Sequence, residues 1–120
     1  MEELRKKYID FLDKRKADTL QDAETLLKEE RKDESNILKA KANIYDIFKA
    51  IWDAAEKAST DAESFQAAFL QKAESIPAAW EKSLEIAKQH NDVAKIMIEE
   101  AKLSAVKEIK DEFLHRIFQD

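Results

Sequence analysis

Not one of the 120 residues is glycine, and proline occurs once, at Pro77. Average usage would give a chain of this length about 8 glycines, at roughly 7%. Tight β-hairpins turn through residues at positive φ, which glycine supplies at no steric cost. A chain that lacks it is poorly equipped to build a sheet. Its three commonest residues, Ala, Lys and Glu, favour helices, as does Leu. The same absence narrows function. Loops that cradle phosphate, and the sharp turn that presents a nucleophilic serine in Gly-x-Ser-x-Gly, both need glycine for close backbone approach. Walker, Rossmann and nucleophile-elbow chemistry are excluded.

The fold class read from this is all-α, in a single helical-bundle domain spanning 1–120. Hydrophobic residues make up 44% of the chain and charged residues 39%, against about 25% charged in ordinary globular chains. That combination gives a well-stocked core beneath a heavily charged exterior. There is no cysteine, so disulfides, thiolate catalysis and cysteine-bound zinc are ruled out. The start of the chain, from Met1 to Lys7, is charged and leads into no apolar stretch of the secretory kind. No run approaches the ~18 apolar residues of a membrane span. The expected location is therefore cytoplasmic, with no membrane partner. The net charge of −5 disfavours nucleic acid. Residues 1–16 carry net +2 and residues 17–36 net −4, but each block mixes signs and reads as a solvated helix face.

Apolar spacing places four helices. The first covers about 2–31, with Ile9, Leu12, Leu20, Ala23 and Leu27 on one stripe and Leu4, Tyr8 and Phe11 widening it. Lys16 falls inside the stripe, its stem on apolar surface and its ammonium in water. A turn is expected at 32–36, with Asp33 or Ser35 capping the next helix. The second helix covers about 35–58. Ile37, Ile44, Phe48, Ile51 and Ala55 form one seam, and Leu38, Tyr45 and Trp52 form another beside it. That arc is wider than one buried face requires, so this helix is either central or shared with another chain.

Thr60 and Glu63 fit a capping box for the third helix, about 61–90 with a kink at Pro77. Its stripe (Phe65, Phe69, Ala73, Ile76, Trp80, Leu84, Ala87) is expected to hold phase through the proline. At the last junction, Asn91 suits the left-handed conformation that ends helices and Asp92 can cap the next. The fourth helix, about 92–118, turns Ala94, Ile98, Ala101, Ala105, Ile109 and Phe113 inward. A second apolar line on it holds Ile96, Leu103, Leu114 and Phe118. Near-equal helices with short connections pack as an antiparallel up-down four-helix bundle.

The best candidate for chemistry is Glu112-Phe113-Leu114-His115, which puts a carboxylate and an imidazole one turn apart. Ferritin-like di-iron bundles use two such steps. Here the residue three before His90 is Ala87, so the second step is missing. Asp111 and His115 alone fall short of the three protein ligands of a catalytic zinc. No catalytic, cofactor-binding or metal residues are assigned, and no cofactor is expected. Most acids have a lysine three or four residues away, as in Glu24–Lys28, Asp53–Lys57, Glu99–Lys102 and Lys107–Asp111. These read as pairs on exposed faces.

The expected function is non-catalytic: protein–protein interaction or regulation. The expected partner is another protein, or a second copy in a homodimer through helices 2 and 4. The surface expected to meet it lies around Tyr45, Trp52, Leu103 and Leu114. Two alternatives stand beside this. One is a bundle enzyme, or a ligand- or metal-binding protein, with an interior site, for which Lys16, Lys41 and Asn91 are the inward polar candidates. The other is a nucleic-acid accessory protein using the basic start of helix 1, at Lys6, Lys7, Lys14 and Arg15.

Overall fold

The first connection shows how a chain without glycine reverses direction. In the computed structural model, which describes residues 1–117, α1 (Glu2–Lys28) ends in a Schellman motif. The N–H of Arg31 donates to the Leu26 carbonyl at 2.9 Å, and that of Glu30 donates to Leu27 at 3.1 Å. Glu30 sits at φ 63°, the left-handed position that glycine normally takes. α2 (Lys32–Lys57) therefore starts earlier than the sequence suggested. Ser35 lies inside it, fully buried, and caps nothing: its hydroxyl donates to the carbonyl of Ala23.

α3 (Ala62–Ser75) opens on a true capping box, shifted one residue from Thr60 and Glu63. Asp61 accepts from the Ser64 N–H at 2.7 Å, and Ser64 Oγ accepts from the Asp61 N–H at 3.3 Å. Asp61 wins the position because its backbone is already extended there and its carboxylate faces the positive end of the helix. The bond from the Ser64 N–H is the main cause that holds its carboxyl below the ordinary range.

At Ile76 and Pro77 the helix breaks without leaving helical dihedrals (φ/ψ −67°/−46° and −70°/−10°), and α4 (Ala78–Gln89) follows. Beyond the break the stripe resumes, with Trp80 and Leu84 half-buried and Ala87 buried, but it slips by one residue at the break itself. Ile76 is 39% exposed and Pro77 is buried in its place. A second Schellman motif ends α4. It has Asn91 at φ 53°, with Asp92 donating to Ala87 at 2.9 Å and Asn91 donating to Lys88 at 3.2 Å. Asp92 then caps α5 (Val93–Glu112), accepting from the Lys95 N–H at 3.2 Å. The described chain closes in a π-helical turn, Phe113–Ile117. Ile109, Phe113 and Ile117 are all buried at spacings of four. Successive steps of four drift about 40° in an α-helix, and the wider turn takes up that drift.

These elements make an all-α four-helix bundle, with α3 and α4 as two segments of its third helix. The register is read from contacts. Along α1, Arg5, Tyr8, Lys16 and Ala23 meet Asp53, Phe48, Asp46 and Ser35 of α2 in turn, so the two helices run in opposite directions. Phe65 and Phe69 meet Trp52 and Phe48, again in reverse order. So do Glu74 and Trp80 against Lys110 and Lys102. α2 is central, touching α1, α3 and α5, whereas α4 packs on α5. The wide apolar arc of α2 is thus covered by the chain's own helices.

The core is aromatic and lies toward one end. Phe69 stacks on Phe113 at 3.8 Å between centroids, Tyr8 stacks on Trp52 at 4.7 Å, and Phe65 leans on Trp52 at 4.5 Å. Tyr8 is fully buried and its hydroxyl donates to the Phe48 carbonyl at 2.8 Å. Nothing comparable lies toward the α1–α2 and α4–α5 turns. Over residues 17–43 and 78–104 the fully buried residues are Thr19, Ala23, Ser35, Ala42, Ala87 and Glu99, each small or polar. Leu20 and Leu27, expected inward, are 40% and 41% exposed. The buried stripe of α1 runs instead through Tyr8, Leu12, Thr19 and Ala23. Thr19 takes its place because its hydroxyl donates to the Arg15 carbonyl at 2.7 Å and so brings no unmet polar group. The radius of gyration is 15.6 Å, against about 14 Å for a compact chain of this length.

Candidate interaction surface

The four residues singled out from sequence separate into two groups. Tyr45 and Trp52 are fully buried. They face α1, α5 and the aromatic core, and their side chains offer no surface to a partner. The second seam of α2 is an inner wall of the bundle. Leu103 and Leu114 border one hollow. It measures about 280 Å³ between α4 and α5, is lined also by Val106 and Glu81, and is rimmed by Lys107, Lys110 and Asp111. Leu103 is half-buried and Leu114 is 37% exposed. Phe118, on the same apolar line, lies outside the described residues.

Tyr45 belongs to a polar cluster that sequence spacing could not reveal, because its members are far apart in the chain. Glu108 accepts from Arg15 Nε at 2.8 Å and from the Tyr45 hydroxyl at 3.0 Å. Burial first, and then the Glu108 charge, pushes the Tyr45 phenol up from its ordinary range. The cluster ties α1, α2 and α5 together at the edge of the core. Arg15 and Glu108 also line an open hollow of about 620 Å³ with Phe11, Lys14, Asp111, Glu112 and His115. Its charges are of both signs and largely neutralised: Glu108 by Arg15, and Asp111 by Lys107 at 2.9 Å.

The interior polar candidates also find plain roles. Lys16 is half-buried and its ammonium pairs with Asp46 at 2.6 Å. Lys41 is half-buried, and Asn91 is exposed at its left-handed turn. Among the described residues, no group of three or more acidic or histidine side chains is placed to hold a metal. No helix among them is long and apolar enough to cross a membrane. Lys107–Asp111 is the exposed pair the sequence suggested, but Asp53 pairs with Arg5 of α1. Glu99–Lys102 is not an exposed pair, since Glu99 is only 4% exposed.

Apart from Met1, the most exposed of the apolar side chains lie toward the lightly packed end. Val93 is 65% exposed, and Ile86 and Met97 are each 47% exposed. Val93 and Met97 are one turn apart, so they share the outer face of α5. Periodicity missed them because they lie off both apolar lines assigned to that helix. No protein family, characterised protein or solved structure matches this chain.

Proposed function

We propose that this chain is a non-catalytic helical module that acts by binding another protein through the end of the bundle that carries the α1–α2 and α4–α5 turns. The observation behind this reading is the uneven core. Large side chains are fully buried at the aromatic end, while Leu20, Leu27, Ile86, Val93 and Met97 at the other end keep 40% or more of their surface in water. Isolated exposed apolar residues are normal in any protein. Several at one end of a small bundle, where no large side chain is fully buried, are better accounted for as surface that a partner covers. Val93 and Met97, with Ile86 on the neighbouring helix, supply anchors of the kind that helix-to-helix docking uses.

The test is capture of the tagged chain from its native lysate, run beside a Val93→Glu/Met97→Glu variant whose helicity is checked by circular dichroism. A protein, or the chain itself, recovered at near-equal stoichiometry with the parent and lost with the variant supports the reading. Equal recovery with both proteins moves the contact elsewhere. A parent that stays alone and monomeric in sedimentation at high concentration removes the proposal.

A further inference from the structure

One face of α5 is turned toward α4. Lys95 lines a hollow with Ser83, Ile86 and Ala87 of α4, the Lys102 ammonium lies 5.5 Å from the centre of the Trp80 ring, and Val106 shares a hollow with Glu81. Glu99 lies between them on the same helical face, four residues after Lys95 and three before Lys102. It is 4% exposed; its Oε1 accepts from Lys102 at 3.2 Å, and its Oε2 has no hydrogen-bond partner. A carboxylate oxygen held out of water without a donor opposes the packing that buries it. That opposition lasts only while α4 stays in place.

Few side chains of α4 are buried in the bundle. Ala87 is its one fully buried residue, it packs on α5, and it meets α3 only where the two segments join. It is bounded on both sides by breaks in the helical hydrogen-bond ladder. At Pro77 there is no N–H to donate, and at Asn91 the chain enters the left-handed region.

We infer that α4 is a releasable strap. The segment Ala78–Gln89 detaches from α5 as a unit, between the breaks at Ile76–Pro77 and His90–Asp92, while the aromatic core stays folded. The buried Glu99 sets how often it does so. Release returns Glu99 to water and uncovers Trp80 and Leu84 on one side and Val106 on the other. This stands on the packing of α4 alone and does not depend on the docking reading above.

Hydrogen exchange of the full chain, read by mass spectrometry in low denaturant, tests it. Amides of 78–89 are expected to exchange at least about tenfold faster than those of 65–73, with weak dependence on denaturant, as local opening requires. Ile44→Val weakens the core, which is intact in both the closed and the released state. It is expected to speed exchange over 65–73 about fivefold and to leave 78–89 unchanged. Glu99→Met fills the same space without a charge and is expected to slow 78–89 about tenfold. The inference is overturned if 78–89 exchanges as slowly as 65–73, if Ile44→Val speeds both segments alike, or if Glu99→Met leaves 78–89 unchanged. Should Glu99→Met fail to fold, the first two comparisons still decide.

Discussion

Ser35 Oγ donates a 2.7 Å hydrogen bond to the main-chain carbonyl of Ala23, joining the start of α2 to α1 across their hairpin. Both residues are fully buried. Ala at position 23 leaves room for α2 to come close enough for a side chain as short as serine to reach the α1 backbone. The contact does for the lightly packed end what the aromatic rings do for the other, fixing the register of α1 on α2 with small groups in place of large ones.

Ser35→Ala should therefore lower stability by about 1 kcal/mol, the usual net value of a buried hydrogen bond. Ser35→Val should cost more, about 1–3 kcal/mol, because the added methyl has no space between the two backbones. Urea midpoints by circular dichroism would give both values. A valine variant as stable as the parent would mean that the helices are not in close approach at Ser35.

Tyr8 offers a test with a pH signature. Its hydroxyl is buried on the Phe48 carbonyl, and burial pushes the phenol well above the ordinary tyrosine value of 10.0. The folded state thus keeps its proton at pH values where the unfolded chain loses it. Stability from this group is fully present below about pH 10 and is lost as pH rises beyond it, with a limiting slope of about 1.4 kcal/mol per pH unit. Tyr8→Phe should cost about 1 kcal/mol at pH 7 and flatten the loss between pH 10 and 11. Urea midpoints across that range are the measurement. An unchanged slope in the variant would assign the alkaline loss to another group.

Most of the fold was legible from local signals, and the misreadings share a cause. Phe48, Ile51, Trp52, Phe65, Phe69, Ile109 and Phe113 all lie buried where apolar periodicity placed them. They sit where two or more helices converge, and there a side chain's own hydrophobicity decides its burial. The leucines misplaced along α1 fall at the other end. Leu20 and Leu27 were expected inside because they are apolar, but burial there favours residues small enough for close approach, such as Ala23, Ser35 and Ala42. The capping box and the start of α2 shifted because several residues in each turn could cap and only backbone geometry chooses among them. Tyr45 and Trp52 show the limit for the candidate surface. A wide apolar arc marks a central helix and an interface helix alike, and what distinguishes them is the position of the other helices.

The turn at Glu30 predicts a gain in stability. A side chain other than glycine at φ 63° crowds its own backbone, at a cost of roughly 1–2 kcal/mol. Glycine relieves that and loses some of the gain to the greater freedom of the unfolded chain. Glu30→Gly should stabilise the protein by about 0.5–1 kcal/mol. Asn91→Gly, at φ 53°, should change little, because asparagine tolerates this region. Thermal unfolding of the two variants side by side checks the contrast. A destabilised Glu30→Gly would show that the glutamate side chain makes a contribution larger than its backbone cost.

The uneven core predicts an uneven response to truncation. Phe69 stacks on Phe113 and meets Tyr8, Phe48, Trp52 and Phe65 as well, so no neighbour can move to fill its place without disturbing the others. Phe69→Ala should cost about 3–5 kcal/mol, much of the 5–15 kcal/mol that holds a typical domain together. Leu27 is 41% exposed on α1, and its truncation should cost less than about 1 kcal/mol, since little of its surface leaves water on folding. Urea unfolding of both variants at two protein concentrations makes the comparison. If Leu27→Ala costs as much as Phe69→Ala at the higher concentration and little at the lower, the lightly packed end is being covered by a second copy. If it costs as much at both, that end holds a packed core within the single chain, and the division of the bundle into a filled and an open end is wrong.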